Sequence, residues 1–350
     1  MRFYAFIAAV AIGLAGTVAA LFSLERPGML TAQLGYRGTG IEAVVNPRLI
    51  AANAPRHVAP PAIDPADPSG DRASTIYENV PVLGHLSIEQ FGRIMQAMSE
   101  WIYPGEGENQ GCNGCHVPGN FAAEDMYQKT VARRMLQMVQ AINTQQTAHV
   151  GATGVTCYTC HRGLAVPAEV WSATPNTASS ALAGQAAGQN TPLPRTGYAS
   201  LPFDTFTPYL VGNAPIRVQD TVARSAPTAA TMQQTEWSYG LMMHMSTGLG
   251  VNCVFCHNSR AFSDWEQSQP QRVVAWHGIR MVRVINTEYI NPLQPSFPPH
   301  RLGPAGDPLK VNCATCHQGV NRPLNGAQML RDYPELMPPA PERRAEATPR

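Results

Sequence analysis

The segment Cys157-Tyr-Thr-Cys160-His161 is one of four Cys-x-x-Cys-His pentads in this chain of 350 residues. The others begin at Cys112, Cys253 and Cys313, so the pentads contain all eight cysteines. This motif is typical of covalent haem attachment: two thiols bond one haem, and the histidine ligates its iron. The sequence therefore predicts four haem c groups. The predicted attachment residues are Cys112, Cys115, Cys157, Cys160, Cys253, Cys256, Cys313 and Cys316, and the predicted proximal iron ligands are His116, His161, His257 and His317.

Paired cysteines also bind structural zinc or form disulfides. Neither use requires a histidine directly after the second cysteine, and the chain has only 10 histidines. A histidine after all four pairs therefore favours haem over the two alternatives.

The amino terminus predicts a membrane helix. The chain is uncharged from Phe3 to Ser23 and rich in Ala, Ile, Val, Leu and Gly. About 20 apolar residues suffice to cross the hydrocarbon core. A cleaved secretory signal is the alternative, with a weak cleavage site at Thr17-Val-Ala-Ala20. The apolar length favours a retained anchor, with Arg2 in the cytoplasm and the remainder of the chain exported.

Composition predicts a mainly α fold with extensive irregular loop. The chain has 31 prolines, 29 glycines and only 14% charged residues. Covalent haems are large apolar plates, so they replace many core side chains and let irregular segments cover them. The net charge of +1 gives no indication of a nucleic-acid partner.

The two halves of the chain contain a repeat. Val139-Gln-Ala-Ile-Asn-Thr144 precedes the second pentad, and Val282-Arg-Val-Ile-Asn-Thr287 precedes the fourth. Both pentads continue as Thr-Cys-His-x-Gly, with Pro167 or Pro323 four residues later. This similarity predicts two dihaem halves related by an approximate twofold axis. The predicted division is an anchor at 1–24, an extended segment at 25–83, dihaem units at 84–168 and 231–330, a connector at 169–230 and a tail at 331–350.

Helices are predicted before the pentads, and their methionines are candidates for the second iron ligand. Ser87-Ile-Glu-Gln90 is a capping box that begins a helix reaching Ile102, and further helices are predicted over 124–143, about 236–245 and 271–289. A single methionine on an apolar face is more often core packing than a ligand, but three such helices each precede a pentad. The candidates are Met95 or Met98, Met135 or Met138, and Met242, Met243 or Met245.

Several longer strings resemble one known family, the four-haem cytochrome subunit of the photosynthetic reaction centre of purple bacteria. The resemblance extends over nearly the whole chain from about Gly35. The strings that carry it include Gly35-Tyr-Arg-Gly-Thr-Gly40, Val131-Ala-Arg-Arg-Met-Leu-Gln-Met138, Gly154-Val-Thr-Cys-Tyr-Thr-Cys-His-Arg-Gly163, Gly278-Ile-Arg-Met-Val-Arg283 and Asp332-Tyr-Pro-Glu-Leu336.

The resemblance implies a complete set of distal ligands. It implies His/Met ligation for the first three haems, through Met95, Met135 and Met242, and it implies His149 as the second histidine of the fourth haem. The residues alone favour His277 or Met281 for that role, because both lie on the helix before the fourth pentad. The segment Gly105–Gly111 is longer than the family pattern requires, which leaves Met98 as an alternative to Met95.

The resemblance also implies a function in electron transfer and no enzyme activity. The expected partners are the reaction-centre L and M subunits, with the H subunit and the antenna complex. The expected site is the periplasmic face of the inner (intracytoplasmic) membrane. Electrons would pass from a soluble cytochrome c or a high-potential iron-sulfur protein to the photo-oxidised bacteriochlorophyll pair. The third haem would be nearest that pair, with Arg272 beside it. Haem propionates would bring the reduced holoprotein to a charge of roughly −7, which favours a basic donor.

Two other functions fit the same motifs. A membrane-anchored electron distributor or quinol dehydrogenase of respiration would use mostly bis-histidine haems, yet only six histidines lie outside the pentads. A multihaem reductase would need an open iron position with acid or base residues around it. Cyanide or carbon monoxide binding would indicate such an enzyme.

Overall fold

Apolar stripes at helical spacing form the long helices of the chain. The computed structural model describes residues 2–24, 30–32, 43–173, 204–218 and 232–339. In the order of the chain, the α-helices are α1 Arg2–Ser23, α2 Pro47–Asn53, α3 Ala73–Ile76, α4 Ile88–Ile102, α5 Tyr127–Gln145, α6 Thr147–Val150, α7 Cys157–His161, α8 Met232–Leu249, α9 Gln271–Val284, α10 Cys313–His317 and α11 Met329–Asp332.

Short elements connect these helices. The 3₁₀ turns are Ala54–His57, Gly111–Gly114, Cys253–Phe255, Asn291–Ser296, Pro299–Arg301, Pro323–Gly326 and Pro334–Leu336, and the π-helical turns are Thr207–Val211 and Ile285–Ile290. Strands β1 Leu30–Ala32 and β2 Ala43–Val45 pair antiparallel, with Leu30 opposite Val45. The prediction of a mainly α chain with much irregular loop is confirmed.

The predicted helices are present, with shifted ends. Helix α4 begins at the predicted capping box, where Gln90 N donates to Ser87 Oγ at 3.2 Å and Ser87 N donates to Gln90 Oε1 at 3.3 Å. Helix α5 begins three residues later than predicted, at Tyr127. Helix α8 is longer than predicted at both ends, and α9 passes into a π-helical turn at Ile285.

Helix α1 is the one helix, among the residues that the structure describes, that is long and apolar enough to cross a membrane. Its described side chains are exposed along the whole length. A single amino-terminal apolar helix is therefore confirmed. The string Gly35–Gly40, residues 174–203 and 219–231, and residues 340–350 lie outside the described part of the chain.

Three apolar clusters surround the pentads. Helix α4 contributes most to the first cluster, and the Trp101 and Tyr333 rings lie edge to face at 4.7 Å. The second cluster joins α8 and α9 to Trp171 and Phe206, and the third joins α5 to the end of α9. Residues 204–218 lie within the predicted connector, yet Phe206, Tyr209 and Leu210 are buried there. This part of the connector is core, because its apolar side chains fill the space beside α8.

The repeated Ile-Asn-Thr strings make the same contact in both halves. Asn143 Nδ2 donates to Val155 O at 3.0 Å, and Val155 N donates to Asn143 Oδ1 at 2.8 Å. Asn286 Nδ2 donates to Val311 O at 3.0 Å, and Val311 N donates to Asn286 Oδ1 at 2.9 Å. Each asparagine thus fixes the backbone two residues before a pentad. The repeat is structural as well as sequential.

Candidate haem sites

The four pentads adopt two conformations. The second and fourth are short helices, α7 and α10, and each has a capping box across its first turn. Each ends in a left-handed residue, Arg162 at φ 48° and Gln318 at φ 51°. The first and third form 3₁₀ turns, in which His116 N and His257 N each donate to the carbonyl of the first cysteine. The first pentad therefore corresponds to the third, and the second corresponds to the fourth.

Every pentad histidine anchors its Nδ1 atom on a backbone carbonyl. The His161 and His317 acceptors lie three residues ahead, at Leu164 O and Val320 O, with distances of 2.8 and 2.9 Å. His116 and His257 use acceptors five residues ahead, Phe121 O at 3.0 Å and Phe262 O at 2.8 Å. An Nδ1–H bonded to a carbonyl leaves Nε2 with its lone pair for a metal. All four imidazoles are thus held in the tautomer that ligates through Nε2.

His149 has the same arrangement outside the pentads. Its Nδ1 lies 2.9 Å from Val274 O on α9, and its ring centroid lies 6.1 Å from that of His317. Two imidazoles on opposite sides of one metal have centroids about 6 Å apart, given metal–nitrogen bonds of about 2 Å. The spacing between His149 and His317 fits one iron between them. His277, the alternative from the helix pattern, is instead part-exposed and packs against Trp276, with ring centroids at 4.8 Å.

Burial keeps these imidazoles neutral. It is the largest cause that lowers the pKa of His116, His149, His161 and His257, and it lowers the pKa of His317 to about 4. Only a neutral imidazole can donate its Nε2 lone pair to a metal. The protonation state of the five histidines therefore suits ligation at neutral pH.

A cavity of about 760 Å³ runs between the pentads, and every pentad contributes to its wall. Its lining is mainly apolar. The pentad cysteines and histidines in the wall are Cys115, Cys157, Cys160, His161, Cys256, Cys313, Cys316 and His317. His149 lines the same space opposite His317. An apolar cavity with thiols and imidazoles at its edge has the chemistry that covalent haem requires, so the residues present fit the group.

Most candidate methionines pack into the apolar clusters, and several of these also line the cavity. Met135 and Met138 both line the cavity from α5. Met95 and Met98 on α4 both pack into the first cluster, and of the two only Met98 lines the cavity. Met242 packs into the second cluster, and Met245 lines the cavity. These methionines are all part-buried, and Met281, the other alternative for the fourth site, is buried and also lines the cavity.

The second and fourth pentads touch. The sulfur atoms of Cys160 and Cys316 are in disulfide contact, with Cα atoms 4.5 Å apart, while the other six cysteines are free. One sulfur cannot form both a disulfide and a thioether to haem. The contact therefore places the two sites side by side and makes the state of these two thiols a direct test of haem attachment.

The described residues give little support to the alternative that the paired cysteines bind structural zinc. Across the described ranges, no group of three or more His, Cys, Asp or Glu side chains could hold a metal ion. Burial also raises the pKa of Cys157 and of Cys313 to about 12. Structural zinc requires clustered thiolates, and these thiols are neither clustered nor readily ionised.

The sequence analysis missed two cations beside the pentads. Arg162 joins the second and fourth pentads: its Nη2 donates to Cys316 O at 2.8 Å, and its Nη1 donates to Gln318 Oε1 at 2.9 Å. Lys129 on α5 donates to the loop after the first pentad. Arg272 lies close enough to the third pentad to lower the pKa of His257 by charge repulsion, after the larger effect of burial; its guanidinium covers Trp265 at 4.2 Å and donates to Asp264 O at 2.8 Å.

Comparisons with known proteins identify one family. The family model described as the photosynthetic reaction centre cytochrome C subunit matches residues 25–337. Three relatives carry the name photosynthetic reaction center cytochrome c subunit. The protein of Rubrivivax gelatinosus is 50% identical, over 92% of this chain and 87% of its own length. The Thermochromatium tepidum protein is 48% identical, over 90% and 77%, and the Roseobacter denitrificans protein is 41% identical, over 94% and 92%.

Proposed function

Because the chain belongs to the photosynthetic reaction centre cytochrome c subunit family, we propose that it is the tetrahaem electron-transfer subunit of a reaction centre and not an enzyme. The observation that carries this proposal is that all four pentad histidines hold Nε2 ready for a metal. Haem c, when bound, supplies one-electron carriers that connect a soluble periplasmic donor to the photo-oxidised bacteriochlorophyll pair.

The protein residues would fix the two axial positions of each site. His116, His161, His257 and His317 are the proposed proximal ligands, and the eight pentad cysteines are the proposed tethers. Met95, Met135 and Met242 are the proposed distal ligands of the first three sites, and His149 is that of the fourth. A methionine ligand gives a higher potential than a second histidine. The fourth site would therefore differ in potential from its neighbours.

The fold would hold the sites in fixed contact and keep water away. Asn143 and Asn286 fix the backbone ahead of the second and fourth pentads, and Arg162 ties these pentads together. The Cα atoms of Cys160 and Cys316 lie 4.5 Å apart, so the two sites would be immediate neighbours. Rigid placement and exclusion of water reduce the reorganisation that accompanies each change of charge.

Helix α1 would anchor the haem domain to the inner (intracytoplasmic) membrane, with the domain on the periplasmic face. There it would bind the L and M subunits, with the H subunit and the antenna complex nearby. A soluble cytochrome c or a high-potential iron-sulfur protein would be the donor. In this proposal the third site is nearest the pigment pair, and Arg272 raises its potential by pairing with a haem propionate.

The proposal is tested by the number and attachment of haems in the purified native protein. We expect pyridine haemochrome absorbance to give four haems per chain. Mass spectrometry of the digested protein should show each of the four pentad peptides with one haem attached. After reduction of the unfolded protein, iodoacetamide should modify neither Cys160 nor Cys316, since both would be thioethers. Fewer than four haems, or alkylation of both cysteines only after disulfide reduction, would contradict the proposal. Replacing Cys112 and Cys115 by serine is the control that should remove one haem.

A further inference from the structure

One carbonyl oxygen beside the first pentad accepts two hydrogen bonds. Phe121 O lies 3.0 Å from His116 Nδ1 and 2.9 Å from Lys129 Nζ. The same ammonium group donates to Ala122 O at 2.8 Å and to Ala123 O at 2.9 Å. All three of its protons are therefore directed at consecutive carbonyls of the loop that orients His116.

The charge on Lys129 is poorly screened. The residue is 7% exposed, although it lies in the first turn of α5. Its nearest counter-charge, Glu124, is 3.4 Å away, but that carboxylate is half-exposed and shared with Arg133. A buried cation bonded to an oxygen draws electron density from that oxygen far more than a solvated one does.

We propose that Lys129 is a positioning residue that raises the reduction potential of the first haem through the Phe121 carbonyl. A carbonyl that also binds an ammonium accepts the His116 Nδ1 proton less strongly. The imidazole then donates less charge to the iron, and the ferric state loses more stability than the ferrous state. This inference rests on the proposed haem attachment at Cys112 and Cys115.

The third pentad offers a comparison within the same chain. His257 is anchored on Phe262 O in the corresponding geometry. The cation beside it, Arg272, donates to Asp264 O and to Ser268 Oγ at 2.7 Å. Arg272 thus bonds neighbouring atoms, whereas Lys129 bonds the histidine acceptor itself. The first and third sites therefore differ in this contact despite their similar pentads.

The test is redox titration of the holoprotein with Lys129→Gln, and Arg133→Gln as the matched control. Both changes remove one positive charge from α5, but Arg133 bonds Glu124 and Asn79 and does not touch Phe121 O. We expect Lys129→Gln to lower the reduction equilibrium constant of the first haem by about tenfold, or about 59 mV for one electron. Arg133→Gln should change this equilibrium constant much less, and Lys129→Arg, which keeps the positive charge, should leave it close to the wild-type value. An unchanged potential in Lys129→Gln, or an equal shift in Arg133→Gln, would overturn the inference.

A second variant tests the same inference if Lys129→Gln does not assemble with haem. It should shift the potential of the first haem in the opposite direction. Glu124→Gln removes the exposed counter-charge, so it should raise the same equilibrium constant, whereas Asp125→Asn next to it should not. No rise in Glu124→Gln would again overturn the inference. In the redox titration, the first haem is identified as the component that disappears when Cys112 and Cys115 are replaced by serine. If that double variant loses no haem, the proposed attachment fails; a normal haem content with unchanged potentials overturns the role of Lys129 alone.

Discussion

At the scale of single residues, each proposed haem site depends on the Nε2 atom of a histidine. Five histidines direct Nδ1 at a backbone carbonyl and leave Nε2 for iron. In the proposed sites, a side chain from a neighbouring helix would be the second iron ligand. Its identity would set the potential of each haem, so the proposed distal residues are the ones to test.

Exchanging Met95 or Met98 for leucine separates the two candidates at the first site. Leucine has a similar volume, so each change should cost less than about 1.5 kcal/mol of stability. We expect Met95→Leu to open one iron position, so that the reduced protein binds one carbon monoxide and the potential of that haem falls. Met98→Leu should bind none. Carbon monoxide binding by Met98→Leu and not by Met95→Leu would assign the ligand to Met98.

Gly278→Ala tests the fourth site. A Cβ atom at this position would lie 2.5 Å from His149 Cε1, so the imidazole would have to move away from His317. We expect carbon monoxide binding at one haem and a lower unfolding temperature. Gly92→Ala on α4 is the control, since its Cβ would meet nothing within 4 Å and alanine there should add about 1 kcal/mol of stability. If the two variants behave alike, His149 is not held against α9 as described.

The four pentad histidines could be proposed as iron ligands from the sequence because the contacts that orient them are local. Each pentad histidine and its carbonyl acceptor are three or five residues apart. The acceptor of His149 is 125 residues away, on another helix. No helical period could reveal that pairing, so the residues alone favoured His277 or Met281. The resemblance to a family supplied His149 instead.

At the scale of elements, two matching asparagine contacts and one buried ion pair organise the part of the chain around the pentads. The turn Pro334–Leu336 packs against α4, with Leu336 in the first apolar cluster. Glu335 there binds Arg93 through both carboxylate oxygens, at 2.8 and 2.9 Å, and both side chains are buried. Arg93 also donates to Ile63 O and Asp332 O at 2.7 Å. Three distant segments thus meet at one guanidinium.

Glu335→Gln should therefore destabilise the packing between α4 and the turn Pro334–Leu336. Removing one partner of a buried ion pair leaves the other charge unpaired and costs about 3–5 kcal/mol. Asp332→Asn is the matched control, because its pair with Arg331 is exposed and 4.0 Å long, and such pairs contribute about 0–1 kcal/mol. Urea unfolding followed by Soret absorbance would measure both. Equal stabilities in the two variants would show that the buried pair does not hold the turn.

Helices were predicted better than the segments between them. The capping box fixed the start of α4, since its two hydrogen bonds are local. The burial of Phe206, Tyr209 and Leu210 was missed because these residues sit in a Pro- and Gly-containing stretch without a sustained apolar period. They are held by contacts with α8 and α9, which a linear pattern does not show.

At the scale of the whole molecule, an exposed apolar helix is joined to a domain whose central cavity is lined by all four pentads. The second and fourth pentads are in contact, and the repeated asparagine clamps place both in equivalent surroundings. Such a molecule can hold several electron carriers in fixed contact beside a membrane. The family to which the chain belongs makes the reaction centre the proposed acceptor.

The most direct test of whether this protein is the immediate electron donor is flash excitation of native membranes. The soluble donor is washed away first, and the haem absorbance is followed after the flash. We predict that bound haem is oxidised within the lifetime of the oxidised pigment pair and that the pair is re-reduced at the same rate. Haem that stays reduced after the flash, while the pair recovers by another route, would contradict the claim that this protein is the immediate electron donor.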